Sequence, residues 1–165
     1  MKRVRELEVE APGGPRRALL RSPGQGGGSA SPAVILLHGA GGTARLALGN
    51  TGWTELADRE GILLAYPEGT RRDQASPPMF LQNPQAWNDG SGRGHTARTG
   101  VDDVGFIGAL ASDLVRSHGA DPGRILCLTY TTAAAAEMQT RLFKTLGQWA
   151  MMPDADLTAA IEALG

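Results

Sequence analysis

Cysteine is nearly absent: Cys127 is the only one in 165 residues. That excludes an intrachain disulfide and any zinc site built from several thiolates. Aromatic residues make up only 5% of the chain, and charge of one sign is missing as well, since 16 Lys and Arg oppose 17 Asp and Glu for a formal net charge of -1. No global field therefore draws the chain to nucleic acid or to an anionic membrane. No apolar run approaches the roughly 18 residues that a membrane-spanning helix needs, so no membrane partner is expected. Met1 to Glu10 alternates charged with apolar residues where a signal peptide would build an apolar core. As written the chain reads as cytoplasmic. What is present suffices for a packed core, because 41% of residues are hydrophobic. The length predicts one domain or slightly more.

Arg5 to Glu10 and Arg16 to Arg21 read as two short strands around the turn Ala11-Pro12-Gly13-Gly14-Pro15, an opening antiparallel hairpin. Pro23 to Pro32, rich in Gly and Ser, reads as a flexible connection. Ala33 to Leu37 and Ile62 to Tyr66 are continuous apolar runs, the mark of strands covered on both faces. Between them Trp53, Leu56 and Ala57 predict a helix over Gly52 to Arg59, stopped by Gly61. Glu68 to Thr99 predicts a long functional or disordered loop. Asp102 and Asp103 open a helix with Val104, Ile107, Leu110, Ala111, Leu114 and Val115 on one face, ended by Gly119. Asp121-Pro122-Gly123 is a turn into a third strand, Ile125 to Tyr130, and two helices are expected at Ala133 to Leu146 and Leu157 to Leu164. Strands alternating with helices after a hairpin describe an α/β fold with a mostly parallel sheet.

His38-Gly39-Ala40-Gly41-Gly42 follows a buried strand directly. Glycines there can aim backbone N–H groups into a cleft and stabilise an oxyanion, or simply make a turn. A phosphate loop is excluded, because Thr43-Ala44-Arg45 replaces the required Lys and Ser or Thr.

Together with Val34 to Gly42, the segments Gly52-Trp53, Ala57-Asp58, Gly61-Ile62, Ala65 to Gly69, Trp87 to Gly90 and Gly100 to Phe106 resemble the polyhydroxybutyrate depolymerase and feruloyl esterase branch of the α/β-hydrolases. The resemblance covers about residues 7–124. It implies a three-layer α/β-hydrolase fold and a serine esterase acting on carboxylic esters without a cofactor or metal. His38, Gly39, Ala40 and Gly41 would form its oxyanion loop, with Trp87, Asn88 and Asp89 near the substrate. The family is often exported, so the resemblance leaves localisation open.

Such an esterase needs a Gly-x-Ser-x-Gly elbow followed by Asp and then His. This chain reads Thr129-Tyr130-Thr131-Thr132-Ala133, with Thr131 at the nucleophile place, and no histidine follows His118. A hydroxyl without a general base has little nucleophilic character at neutral pH, so no esterase activity is expected of this chain. Over residues 119–165, the run from Arg124 to Met138, continued by Arg141-Leu142-Phe143 and Leu146 to Ala150, is similar to UvrD-like helicases of the AddA double-strand-break repair type. That similarity implies Thr129 and Thr131 near single-stranded DNA. A motor is excluded by the missing P-loop.

The two likenesses predict a chimera: residues 1–124 from an α/β-hydrolase domain, truncated before its remaining strands, and 125–165 from a helicase. The alternatives are a divergent hydrolase with an eroded elbow and a noncatalytic binding protein. Missing strands would leave open sheet edges, through which self-association is expected.

Overall fold

The computed structural model describes residues 4–23, 30–129, 151–153, 155, 156 and 158. The chain divides into two compact units, Met1–Tyr130 and Thr131–Gly165. In the second unit the described residues are exposed; Thr131, the helix expected over Ala133 to Leu146 and, apart from Thr158, the helix expected over Leu157 to Leu164 lie outside the described residues.

The first unit runs β1 (Val4–Ala11), β2 (Gly14–Arg21), β3 (Ser31–Leu37), α1 (Ala44–Asn50), α2 (Trp53–Glu60), β4 (Leu63–Pro67), α3 (Gly94–Arg98), α4 (Asp103–His118) and β5 (Ala120–Thr129). The hairpin closes on Pro12 and Gly13, with Ala11 opposite Gly14. Proline presets the first turn residue and Gly13 takes φ 87°, a backbone that L side chains rarely adopt.

The sheet order is β1-β2-β4-β3-β5. It is mixed, which corrects the expectation of a mostly parallel sheet. β1 with β2 and β2 with β4 are antiparallel, whereas β3 pairs in parallel with both β4 and β5. The cause is that the hairpin does not stand apart as an appendage: β2 docks directly on β4, so two of the four ladders run antiparallel.

Side chains alternate across this sheet and divide the core between its faces. On one face Ala18, Leu20, Ala33, Ile35, Leu63 and Ala65 pack with Phe106, Leu110 and Leu114 of α4. On the other, Leu19, Val34, Leu36, Leu64 and Tyr66 pack with Ala44 and Ala47 of α1 and Ala57 of α2. The continuous apolar runs of β3 and β4 thus serve two helical layers.

Helix α4 begins at the carboxylate of Asp102, which accepts the Gly105 N–H at 2.8 Å, and ends on Gly119 in the left-handed conformation. A Cβ at Gly105 would stand 2.7 Å from Cγ of Pro12, so glycine lets the helix start lie against the hairpin turn. Val104, expected on the apolar face, is exposed, because the buried stripe is Asp103, Phe106, Leu110 and Leu114. Asp121-Pro122-Gly123 is not a separate turn before the strand. It lies within β5 as an irregularity, where Ser31 pairs with Ala120 and Ala33 with Ile125, and the Asp121 carboxylate accepts the Gly123 N–H at 2.9 Å. Two helices went unread in the sequence, α1 and α3. Seven and five residues are too few to show a period.

Candidate functional site

The chain leaves β3 toward β4 on one side and returns through α4 to β5 on the other. Strand order reverses at β3, and in open α/β sheets ligands bind in the crevice outside the carboxyl ends of the strands at such a point. Leu37, the last residue of β3, pairs with Thr129 of β5, and His38 to Gly42 emerges there.

Two N–H groups of this loop are committed to the protein: Gly41 donates to the Gln85 carbonyl at 2.7 Å and Gly42 to the Gly39 carbonyl at 2.9 Å. Those of Gly39 and Ala40 donate to no acceptor among the described residues. Gly39 is half-buried and Ala40 exposed. Gly41 adopts φ 79°, and a Cβ on it would lie 2.7 Å from Cδ2 of Phe80. Only glycine fits both conditions. Beside the loop is a shallow depression of about 220 Å³ lined by His38, Gly39, Gly42, Thr43, Leu46, Ala47 and Asn50.

His38 is 3% exposed and has both ring nitrogens engaged. Nε2 accepts the Gly69 N–H at 3.0 Å, which places the proton on Nδ1, and Nδ1–H donates to the Gly39 carbonyl at 2.8 Å. The Trp87 indole N–H donates to the His38 carbonyl at 2.8 Å, and the two rings lie 5.0 Å apart. Burial, the largest effect, pushes the imidazole below its ordinary range, outweighing the Gly39 carbonyl and the carboxylates of Glu68 and Asp103. His38 is therefore neutral at neutral pH, and its 3.8 Å approach to Glu68 is not an ion pair. The ring holds the glycine loop to the segment after β4. It has no lone pair left for proton transfer.

This neutrality has a measurable consequence. The folded chain resists protonating His38 more than the unfolded chain does, so unfolding takes up a proton as pH falls through about 6.5, the ordinary imidazole value. Stability then drops with falling pH by at most about 1.4 kcal/mol per unit and levels off below the folded-state value. Urea midpoints measured from pH 7.5 to 5 should show that decline. In His38→Gln the decline should be shallower, and an identical slope in the two proteins would refute the assignment.

Glu68 and Gln85 form the second layer under the loop. The Glu68 carboxylate accepts the Ala44 N–H that starts α1, at 3.0 Å, and the side-chain amide of Gln85. Gln85 is almost fully buried, and its amide also reaches the Gly69 carbonyl at 3.2 Å. Thr70 and Ala86 exchange backbone hydrogen bonds at 2.9 Å, joining the start of the long loop to its later part. Sequence reading missed Glu68 and Gln85 as organising residues. The only signal was that Glu68 belongs to the Ala65 to Gly69 segment that carried the resemblance.

Trp87 and Asn88 are occupied in holding this loop. The Asn88 N–H donates to the Asp103 carboxylate at 2.6 Å, and its side-chain amide donates to the Val101 carbonyl at 2.9 Å. Asp89 accepts the Ser91 N–H at 3.0 Å, and its hydrogen bonding to Ser91 holds its carboxyl below the usual carboxylate range. Asp103, 7% exposed, also receives Arg16 at 2.9 Å, and the Arg16 guanidinium lies 4.3 Å over the Phe106 ring.

The other two histidines are separately placed. His95 Nε2 lies 2.9 Å from the Thr70 carbonyl, on the rim of the long loop. His118 bonds Arg5 through Nδ1 at 2.6 Å and approaches Asp113 through Nε2 at 3.3 Å. It precedes Gly119, whose carbonyl accepts the Ser31 N–H at the start of β3. His118 thus sits at the end of the sheet opposite His38, about 20 Å away over seven strand residues. Burial raises the Cys127 thiol, which keeps it protonated and unreactive. Among the described residues no group of three or more His, Cys, Asp or Glu is arranged to hold a metal ion.

Solved structures that share this fold include esterases and a related hydrolase. An esterase of Pyrobaculum calidifontis superposes with a TM-score of 0.53 at 19% identity, over 88% of this chain and 41% of its own. EstE1, a thermostable carboxylesterase from a metagenomic library, gives 0.55 at 18% identity, over 88% and 43%. An S-formylglutathione hydrolase from Agrobacterium tumefaciens gives 0.56 at 14% identity, over 82% and 50%. The fold is that of the α/β-hydrolases. This chain spans between two fifths and half the length of those hydrolases. The family model of the UvrD/REP helicase N-terminal domain matches residues 106–160, one third of the chain. Its match begins inside α4 and takes in all of β5. No curated protein matches.

Proposed function

We propose that the first unit is the oxyanion-side part of a carboxylic-ester hydrolase site, of the polyhydroxybutyrate depolymerase and feruloyl esterase type, and that this 165-residue chain does not turn over esters. The observation that carries the reading is the pair of uncommitted N–H groups at Gly39 and Ala40, presented at the switch point of a hydrolase sheet. Donors fixed in advance at such a place stabilise negative charge that develops on a carbonyl oxygen. His38 and Gly41 hold them from either side, while Trp87, Asn88 and Asp89 belong to the wall behind them. The attacking group and its base are what the chain lacks. Thr131 stands at the nucleophile place in sequence, and β-branching suits it poorly to the strained elbow. His38 has no free nitrogen, and His118 lies at the far end of the sheet.

Purified chain should release no p-nitrophenol from p-nitrophenyl butyrate above buffer, and Thr131→Ser should not restore release, because no base accompanies the hydroxyl. Turnover that vanishes in Thr131→Ala would overturn the proposal.

A second reading, a nucleic-acid-associated fragment of a repair helicase, is favoured by the family match over 106–160. We infer that the chain joins the two parents at Gly119 to Ile125, from the end of α4 into the first half of β5. Salt-sensitive binding of a single-stranded oligonucleotide, lost in the Thr129→Ala, Thr131→Ala double variant, would promote this reading over the first.

A further inference from the structure

Met79, Phe80 and Leu81 are 51%, 71% and 78% exposed, three consecutive large apolar side chains at one loop tip. Such a run facing water is a fault in a surface unless something uses it. The tip is built rather than loose. Met79 and Asn83 exchange backbone hydrogen bonds at 3.0 and 3.1 Å, closing a small hairpin with Phe80 and Leu81 at its turn. The buried Asn83 side chain fastens that hairpin below: its amide donates to the carbonyls of Asp73, Ser76 and Pro77, and its oxygen accepts the Asp73 N–H. Fixing the tip in water costs entropy beforehand, which a ligand then need not lose.

Its position gives it a use. The Phe80 ring lies against Gly41, the residue that follows the uncommitted N–H groups of Gly39 and Ala40. The segment just after the hairpin binds the same loop, through the Gln85 carbonyl to Gly41 and the Trp87 indole to His38. The loop that carries the two uncommitted N–H groups and the Phe80 ring at the apolar tip are therefore held against each other by one stretch of chain.

We propose that Met79, Phe80 and Leu81 form a subsite for an unbranched aliphatic chain attached to the carboxyl group that Gly39 and Ala40 receive, with Phe80 as its specificity-determining residue. The proposal rests on the reading of Gly39 and Ala40 as an oxyanion seat. Each methylene fully removed from water is worth about 0.8 kcal/mol, a factor of about four, so partial cover of a longer chain on an open wall amounts to about tenfold in affinity.

The test is titration of the isotope-labelled full chain with sodium butyrate and sodium octanoate, followed by amide NMR shifts. Octanoate should move the signals of Gly39, Ala40 and Phe80 together and bind about tenfold more tightly than butyrate. In Phe80→Ser, a change at an exposed site, that preference should disappear, the two acids then binding equally. Equal affinities in the parent chain, or a preference that survives Phe80→Ser, overturn the subsite and leave the oxyanion seat standing if Gly39 and Ala40 still respond. A preference with shifts at Phe80 but none at Gly39 and Ala40 overturns the joint site and the oxyanion reading with it. Concentration-dependent self-association abolished by Phe80→Ser, with no response to octanoate, overturns the proposal in favour of a second copy as occupant of the tip.

Discussion

Replacing Asp103 by alanine should lower the unfolding free energy by about 3 kcal/mol, read from the urea midpoint at constant slope. Asp103 is nearly buried and serves two segments at once: one oxygen pairs with Arg16 on β2 and the other accepts the Asn88 N–H. Removing the carboxylate leaves the Arg16 charge poorly solvated and a backbone N–H without its acceptor. Breaking a buried pair from one side costs about 3–5 kcal/mol, more than the intact pair contributes, because the surviving charge stays behind. Arg16 keeps the Glu68 carbonyl at 3.1 Å and the Phe106 ring, which places the loss toward the lower end. Asp103→Asn retains an acceptor and should lose less. Asn88 is next to Trp87, whose indole holds the His38 carbonyl, so the alanine variant should also shift the amide signals of Gly39 and Ala40. A loss under about 1 kcal/mol, the worth of a surface pair, would mean that water already screens Arg16.

A larger loss, about 3–5 kcal/mol, is expected for Asp58→Ala. Arg21 ends β2 almost fully buried and meets the Asp58 carboxylate of α2 through two parallel bonds of 2.6 and 2.7 Å. The hydrogen bonding to Asp58 raises the guanidinium further above its already high range, so it cannot shed its proton to escape burial. Alanine at 58 would leave it with the Thr54 carbonyl at 3.3 Å, too weak a partner for a desolvated cation. The diagnostic companion is the double variant Arg21→Met, Asp58→Leu, which replaces the pair with apolar groups of similar bulk. It should recover to within about 1 kcal/mol of the parent, since well-packed apolar residues often match a buried ion pair. If the double variant is as unstable as Asp58→Ala, packing around the pair, rather than the stranded charge, causes the loss.

Both cases show a polar residue acting through a partner far away in sequence, and that is where reading the sequence stops short. Ala33 to Leu37, Ile62 to Tyr66 and the helix from Asp103 to His118 were legible because each carries its signal within a few turns or pleats. Glu68, Gln85 and Asp103 carry no such signal. A buried Gln or Glu looks like a surface residue until its partners are brought to it. Trp87 and Asn88 carry a resemblance to a substrate-side loop, while their bonds to the His38 carbonyl, Asp103 and Val101 arise only from the folded arrangement. The glycine loop itself is visible in the sequence, whereas which of its N–H groups find acceptors elsewhere is not.

The amino-acid sequence by itself determined the local vocabulary of this protein: an opening hairpin, buried strands, an acid-capped helix, a glycine-rich exit from the third strand and the absence of a serine elbow. These follow from side-chain period, glycine and proline geometry and residue inventory, all of which act over short stretches. Tertiary structure alone decided that the sheet is mixed, that His38 is a neutral clasp and that the N–H groups of Gly39 and Ala40 meet no acceptor among the described residues. Those outcomes depend on desolvation and on hydrogen bonds between segments tens of residues apart, and they exist only once the chain has closed on itself.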